Sequence, residues 1–516
     1  MKRILSILLC LVTLTTLLAG CVPDDDPSAY VPTGDALTTD DHVQVTTPVD
    51  EGEQEFSLAY YAKRSLNPLE CDDYTNRLLM PLIYQSLFAV NRDHEVIPIL
   101  CKSYAVSKDL KTYDITLDPK ATFSDGTPVT AADAEASLLK AKRSGYYSGR
   151  LQYVQSITVK ENGSLRIRLS KPCEELPLLL DIPIIKASEL EEARPLGSGP
   201  YVWKREDKNY VLSRRGNWWC QSPDLQVTAL QIPLKKATSN TDIRDSFEFE
   251  NVGVVCTDPG SDRYVEYRCD YELWDCETGT FVFLGINKES EIFKKQEVRQ
   301  AISKGINRVA LADAYYRGFA MATELPAPPN SEYYNPVLAQ RYAYDKDAFE
   351  SVMSQYKGRT ITLLVNKSDS LRVKVAQRIG RMLSTSGLVV DVVKLSTSNY
   401  KAALRAGEYD LYLGQTKLSP NMDLSEFFAE DGNLNYGGMD SVANYKLCLQ
   451  ALENKGNYYT LHYTIMEEAY LCPILFRSYA IYAARGLLTK LQPARDNLFC
   501  YSIGRTLEDA YRISEE

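Results

Sequence analysis

Histidine is nearly missing from this chain: His42, His94 and His462 are the only three among 516 residues, and they lie far apart. A histidine-built metal centre and a His-assisted nucleophile are therefore poorly supplied. No H-E-x-x-H or G-x-S-x-G occurs, which removes the usual zincin and serine-hydrolase signatures. Neither G-x-x-x-x-G-K nor G-x-G-x-x-G is present, so no glycine loop of the phosphate-cradling kind is expected. No C-x-x-C occurs, which argues against a zinc ribbon or a thioredoxin-type dithiol. Basic residues are outnumbered, 58 against 68 acidic, for a net charge of −10. A nucleic-acid protein would need a basic face, and this composition does not point to one. Beyond the N-terminus no apolar run is long enough to cross a bilayer.

What is present is ordinary globular material, 45% hydrophobic and 24% charged. The length exceeds the ~250–300 residues that one hydrophobic core serves, so two or more lobes are expected. Tyrosine is abundant, 35 against 14 phenylalanines. Its flat ring with a polar tip suits a wet cleft.

The N-terminus reads as an export signal. Lys2 and Arg3 precede an apolar run, Ile4 to Leu18, of roughly 15 residues, short of the ~20 a spanning helix needs. It ends in Leu18-Ala19-Gly20-Cys21, which resembles the lipobox of bacterial lipoproteins, with 1–20 as signal peptide and Cys21 as the lipidated residue. Cleavage takes two positive charges off the −10 of the full chain, leaving −12. Residues 21–54, rich in Asp, Thr and Pro, read as a solvated tether. The protein is then expected at the cell membrane, lipid-anchored on its extracytoplasmic face. Ten cysteines follow Cys21, an even number that permits disulfides outside the membrane, and one local bridge among Cys256, Cys269 and Cys276 is expected.

Strand and helix patterns alternate. Phe56–Tyr61 and Lys111–Leu117 read as strands, and Leu78–Phe88 is apolar at helical spacing. Thr130 followed by Asp133 is a capping-box pattern ahead of a helix over Ala134–Lys142. Tyr201–Trp203 and Tyr210–Leu212 read as a hairpin. In 361–413 a strand (Ile361–Val365) precedes a helix with Leu371, Val375, Ile379 and Leu383 on one face. Gly387 suits the end of that helix, and Leu388–Val393, a helix over Asn399–Ala406 and a strand over Tyr409–Leu413 follow. This alternation predicts a parallel sheet, whose ligands bind beyond the carboxyl ends of strands. Gly414-Gln415-Thr416-Lys417 is thus expected as a cleft loop.

Several segments together resemble one family. Leu66-Asn67-Pro68-Leu69, Leu82–Phe88, Ile97–Leu100, Phe123–Asp133 (FSDGTPVTAAD), Gly197-Ser198-Gly199-Pro200-Tyr201, and Phe283–Asn287 followed by Val298-Arg299-Gln300-Ala301-Ile302 occur in its order and spacing. The chain resembles the extracytoplasmic solute-binding proteins of peptide-type ABC transporters over about 55–505. The resemblance implies an α/β, two-lobed periplasmic-binding-protein-like (Venus flytrap) fold with an extra subdomain on the first lobe. It places lobe I at 55–72, 195–282 and 477–516, the subdomain at 73–194, and lobe II at 283–476. It implies a peptide or peptide-like solute gripped between lobes, delivery to the permease subunits of an ABC importer, a monomer, and no cofactor, metal, catalytic residue or nucleic acid. The same fold used as a nutrient or signal sensor is the alternative; a lipid-anchored hydrolase is the weaker one.

Site residues follow from the same source. Relatives place an aspartate after the strand at 409–413 to pair with a ligand's amino group. Here the segment reads Gln415-Thr416-Lys417-Leu418-Ser419, with Asp410 and Asp423 as the carboxylates that take that role if the register is offset. Lys417 favours an anionic ligand group instead. Arg372 lies where some relatives hold a ligand carboxylate; the competing reading is a solvated arginine on a helix face. Tyr60, Tyr61 and Asn67 are expected near the cleft wall. The Phe123–Asp133 motif and Arg299 are expected to be structural.

Overall fold

The computed structural model describes residues 56–513 apart from 208, 221–222, 262–265, 437–438, 440 and 489. The signal segment, Cys21 and the tether lie outside the described residues. Among those described, no helix is long and apolar enough to cross a membrane.

Eleven strands make one mixed sheet. In chain order they are β1 (Leu58–Tyr61), β2 (Tyr201–Glu206), β3 (Asn209–Arg214), β4 (Gln231–Ala237), β5 (Val254–Thr257), β6 (Tyr271–Ile286), β7 (Ala320–Ala322), β8 (Thr360–Asn366), β9 (Val389–Leu395), β10 (Leu411–Lys417) and β11 (Leu471–Ala484). Their spatial order is β9-β8-β10-β6-β11-β5-β1-β4-β3-β2, with β7 also on β11. The expected parallel unit is there: β8 runs parallel to β9 and β10. Helix α1 (Ser370–Ser384) and helix α2 (Thr397–Ala406) are its connections, and Gly387 takes φ +88° after α1, a conformation open to glycine. The hairpin β2–β3 also forms.

Three expectations are corrected. Gly414–Lys417 is not a loop but the end of β10, because β6 is 16 residues long and offers pairing partners as far as Thr280, opposite Lys417. The apolar stretch 78–88 is not one helix. Pro81 is tolerated only in a first turn, so a one-turn helix ends at Arg77, another spans Met80–Ile83, and Phe88 opens a strand. Cys256, Cys269 and Cys276 form no disulfide. Cys256 and Cys276 lie on β5 and β6, with β11 standing between them.

A second sheet of five strands carries residues 101–169 and gains its edge from the C-terminus: Tyr511–Ile513 runs parallel to Cys101–Val106. The 123–133 motif is built as a turn. The Asp125 carboxylate accepts from the Thr127 amide at 3.0 Å and its hydroxyl at 2.6 Å, and Gly126 has φ +86°. Thr130 and Asp133 form the reciprocal capping box. Buried Arg215 donates to the carbonyls of Thr122, Phe123 and Gly199, tying this turn to the 197–201 segment. Arg299 is spent likewise on the carbonyls of Phe293, Lys294 and Glu468.

The cores divide along β6 and β11. The largest draws on residues from Phe56 to Val254, on Cys276, and on 481–510. Two others take every buried member from within 281–476. Both long strands therefore pass from one core to the next, and β6 carries a register shift between Glu277 and Thr280 at that crossing.

Candidate functional site

The carboxyl end of β10 is where side chains from both core regions meet. Gln415 and Lys417 are two apart on a strand and so share a face, while Thr416 points the other way. Gln415 accepts a hydrogen bond from Arg477 Nη1 at 3.0 Å. Arg477 is the lone charge of β11 and pairs with Asp258 through one nitrogen, Nη2, at 2.9 and 2.7 Å from the two carboxylate oxygens. Its guanidinium also stands 5.6 Å from the centre of the Tyr316 ring. Beside this pair is a cavity of about 310 Å³ lined in part by Tyr74, Asn240, Asp258 and Tyr479.

Lys417 reaches a different neighbourhood. Its ammonium pairs with Asp496, donates to the Tyr146 hydroxyl at 2.8 Å, and sits 4.5 Å from the centre of that ring. Burial brings it down to about 8, with Asp496 opposing and Arg495 and Arg150 reinforcing the drop. Burial works against ionisation of Asp496, and Lys417 with Arg495 outweighs it, holding that carboxyl below its ordinary value. Arg77 lies over the Tyr146 ring at 3.2 Å, and Arg150 pairs with Asp181. A cavity of about 90 Å³ opens among Arg77, Tyr146, Arg150, Asp181, Arg495 and Asp496.

Further contacts join residues 146–175 to the 281–476 region. Gln152 donates to Asp423 at 2.7 Å, and Tyr153 donates to Ser425 Oγ at 2.7 Å. Tyr333 donates to Glu175 at 2.7 Å, and the Glu174 amide donates to the Leu452 carbonyl at 2.8 Å. Burial pushes Asp423 up to about 6 and Glu175 up to about 7.

The other anticipated residues are scattered. Tyr60 and Tyr61 are neighbours on β1 and face opposite ways. Tyr60 packs edge-on against Tyr210 in the largest core, while Tyr61 donates to Asn240, a residue of the 310 Å³ cavity. Burial pushes the Tyr61 hydroxyl up to about 12. Asn67 is fully occupied: its amide donates to the carbonyls of Leu190 and Glu192, and its oxygen accepts from the Leu69 amide. Arg372 pairs with Asp369, the N-cap of its own helix, at 2.8 Å. Ser419 donates to Asn421 within its turn, at 2.7 Å. Asp410 is taken up by Ser290 and by the Thr362 amide.

Sequence reasoning did not find Arg77, Tyr146, Arg150, Asp258, Arg477, Arg495 or Asp496. Only Arg477 carried a usable signal, one arginine inside the apolar run Leu471–Ala484. The rest come from three separate stretches of the chain, 77–150, 258 and 495–496.

Residues 95–433 match the family described as bacterial extracellular solute-binding proteins, family 5, over its middle region. A glutathione-binding protein of Pectobacterium atrosepticum is 24% identical over 358 residues, 66% of this chain and 68% of that protein. The substrate-binding protein CtaP of a Listeria monocytogenes ABC transporter superposes with a TM-score of 0.69 at 16% identity, over 89% of this chain and 99% of that one. The periplasmic murein-tripeptide-binding protein MppA, in its unliganded open form, gives a TM-score of 0.70 at 14% identity, over 87% and 98%. These likenesses give a two-lobed, periplasmic-binding-protein-like α/β fold, as the sequence motifs implied.

Proposed function

Because the chain belongs to the bacterial extracellular solute-binding proteins of family 5, we propose that it captures a peptide-like solute between two lobes and hands it unaltered to an ABC importer, while Cys21 holds it to the membrane by acyl chains. The observation that carries this reading is the row of polar contacts from Lys417, Asp423, Ser425 and Tyr333 to residues 146–175 and 496. Such contacts make and break as a unit when two bodies hinge about β6 and β11, and a solute that bridges them shifts the balance toward closure. We place the lobes at 55–72 with 195–282 and 477–516, and at 283–476, with 73–194 as the subdomain; the independent cores within 281–476 support that division. Gln415, Thr416, Lys417 and Ser419 would then contribute from the second lobe, with Arg372 on helix α1 of the same lobe, and Tyr61 through Asn240 at the larger cavity.

Thermal unfolding of the detergent-solubilised full-length protein with a panel of di- to pentapeptides tests the solute class. A ligand at 100 Kd adds about 2.7 kcal/mol to stability. A flat response across the panel removes peptides. The anchor is tested separately: Cys21→Ser should abolish incorporation of labelled fatty acid.

A further inference from the structure

The hairpin β2–β3 closes one end of the large sheet, and β2 is its last strand. Among the described residues β2 pairs only with β3, along its whole length from Tyr201 to Glu206. On the outer side alternate residues therefore aim an N–H and a C=O away from the sheet.

A groove of about 300 Å³ runs along that open side. Val202, Trp203, Lys204 and Arg205 all line it. Successive strand residues face opposite ways, so a cavity that touches four in a row follows the edge of the strand rather than one face. Its other wall is Ile83, Ser124 and the 194–197 segment. The Ser124 amide fixes that wall by donating to the Gly197 carbonyl at 3.0 Å, while the Ser124 hydroxyl oxygen is buried with no hydrogen-bond partner. Nothing from 281–476 lines the groove, so it does not depend on how the two lobes meet.

The charged side chains here are all of one sign. Arg194, Lys204 and Arg205 line the groove with no carboxylate among them. Among the described residues none of the three forms an ion pair: Arg194 lies over the Tyr210 ring at 4.4 Å, and Arg205 Nε donates to the Asp207 carbonyl at 3.2 Å. Carboxylates of the adjoining segments are engaged elsewhere, Asp125 with Lys186, Glu191 with Lys140 and Glu189 with the Leu196 amide. In a chain of net charge −10 this is a local reversal of sign. Cations on an edge strand deter pairing with a second copy, because a two-fold axis through Lys204 or Arg205 sets that side chain opposite its twin. They do not deter an acidic strand.

We propose that β2 and this groove dock an extended, acidic segment of a partner protein, which adds to the sheet as one further strand. Its backbone pairs with the open edge of β2. Two adjacent apolar residues lie opposite Val202 and Trp203, and two adjacent carboxylates lie opposite Lys204 and Arg205, with Arg194 beside them. Since only residues from Ile83 to Tyr210 line the groove, docking does not require a captured solute.

The test titrates the full-length protein with acetyl-Thr-Glu-Glu-Val-Val-Thr-amide and with its reverse-order counterpart, each against the same peptide carrying Lys for Glu. One acidic peptide should bind at least about tenfold tighter than its lysine form, and hydrogen exchange should slow at the amides of 202–206. The double variant Lys204→Glu, Arg205→Glu should reverse the preference, while any melting shift that the di- to pentapeptide panel gives stays as in the wild type. No binding of either acidic peptide, or equal binding of acidic and lysine forms, overturns the proposal. Slowed exchange at 415–417 in place of 202–206 also overturns it, because the peptide is then held as a solute. A dimer that protects 202–206 without any peptide assigns the edge to a second copy and overturns it as well.

Discussion

Lys417 at the end of β10 is paired with Asp496 across the crossing between the two core regions, and its ammonium also donates to the Tyr146 hydroxyl at 2.8 Å. One side chain thereby joins β10, the 146–150 turn and the segment after β11. The groups facing it are Asp496, Tyr146, Arg495 and Arg150.

That setting gives the pH dependence of capture. Without ligand the lysine titrates near 8, below its ordinary value. A carboxylate beside it raises that value, so binding takes up protons and affinity falls as pH rises through about 8. Calorimetry of an acidic probe in two buffers of different ionisation enthalpy, at pH 8, should show net proton uptake that Lys417→Met abolishes. Proton release on binding would contradict this.

Glu175 and Asp423 act in the other pH range. Burial raises both, to about 7 and about 6, above the values near 4 they hold in an unfolded chain. Their contribution is fully present below about pH 4 and is lost as pH rises through 6 and 7. Thermal stability should therefore decline between pH 4 and 7 by more in the wild type than in Glu175→Gln. Parallel profiles for the two proteins would refute the assignment.

The Arg477–Asp258 pair ties β11 to the loop after β5. Arg477→Met removes two charge-assisted hydrogen bonds to the carboxylate and the donor to Gln415. The expected loss is about 1–3 kcal/mol, read by urea unfolding. Asp258→Asn should lose less, since its amide oxygen still accepts from Arg477. The reverse ranking would show that the arginine matters only through packing.

Gly197 has a backbone reason to be glycine. A Cβ there would lie 2.1 Å from the Ile83 carbonyl oxygen, and the neighbouring Gly199 amide donates to that same oxygen at 2.8 Å. Gly197→Ala should destabilise by roughly 1–3 kcal/mol through overpacking. Gly145→Ala, with nothing within 4 Å of the added atom, is the matched control. Equal midpoints for the two variants would show that the 82–84 and 197–199 segments are free to separate.

Local chemistry made much of the fold legible in advance. The Thr130–Asp133 capping box and the Asp125–Gly126–Thr127 turn depend on residues within a few positions of one another, and each strand and helix of the β2–β3 hairpin and the β8–α1–β9–α2–β10 unit carries its own local pattern. Where a longer partner intervened, the reading slipped. Gly414–Lys417 continues as strand because β6 is there to pair with it. The 78–88 stretch breaks because Pro81 outweighs its apolar spacing.

The candidate site was legible only at Lys417 and Gln415, and there through the rule about strand ends rather than through any view of their partners. Asn67, anticipated at the cleft, spends its amide on the 190–192 carbonyls.

By itself the sequence determined the class of molecule: its elements, their alternation, and the absence of catalytic and phosphate-binding signatures, all short-range properties of neighbouring residues. The tertiary structure decided the electrostatics. Apart from Lys417, the charges around it (Arg77, Arg150, Arg495, Asp181 and Asp496) carry no signal in the chain and are spread over more than 400 positions. They meet only because β6 and β11 bring their segments together, and the burial of Arg150 and Arg495 there strengthens their interactions with the charges beside them.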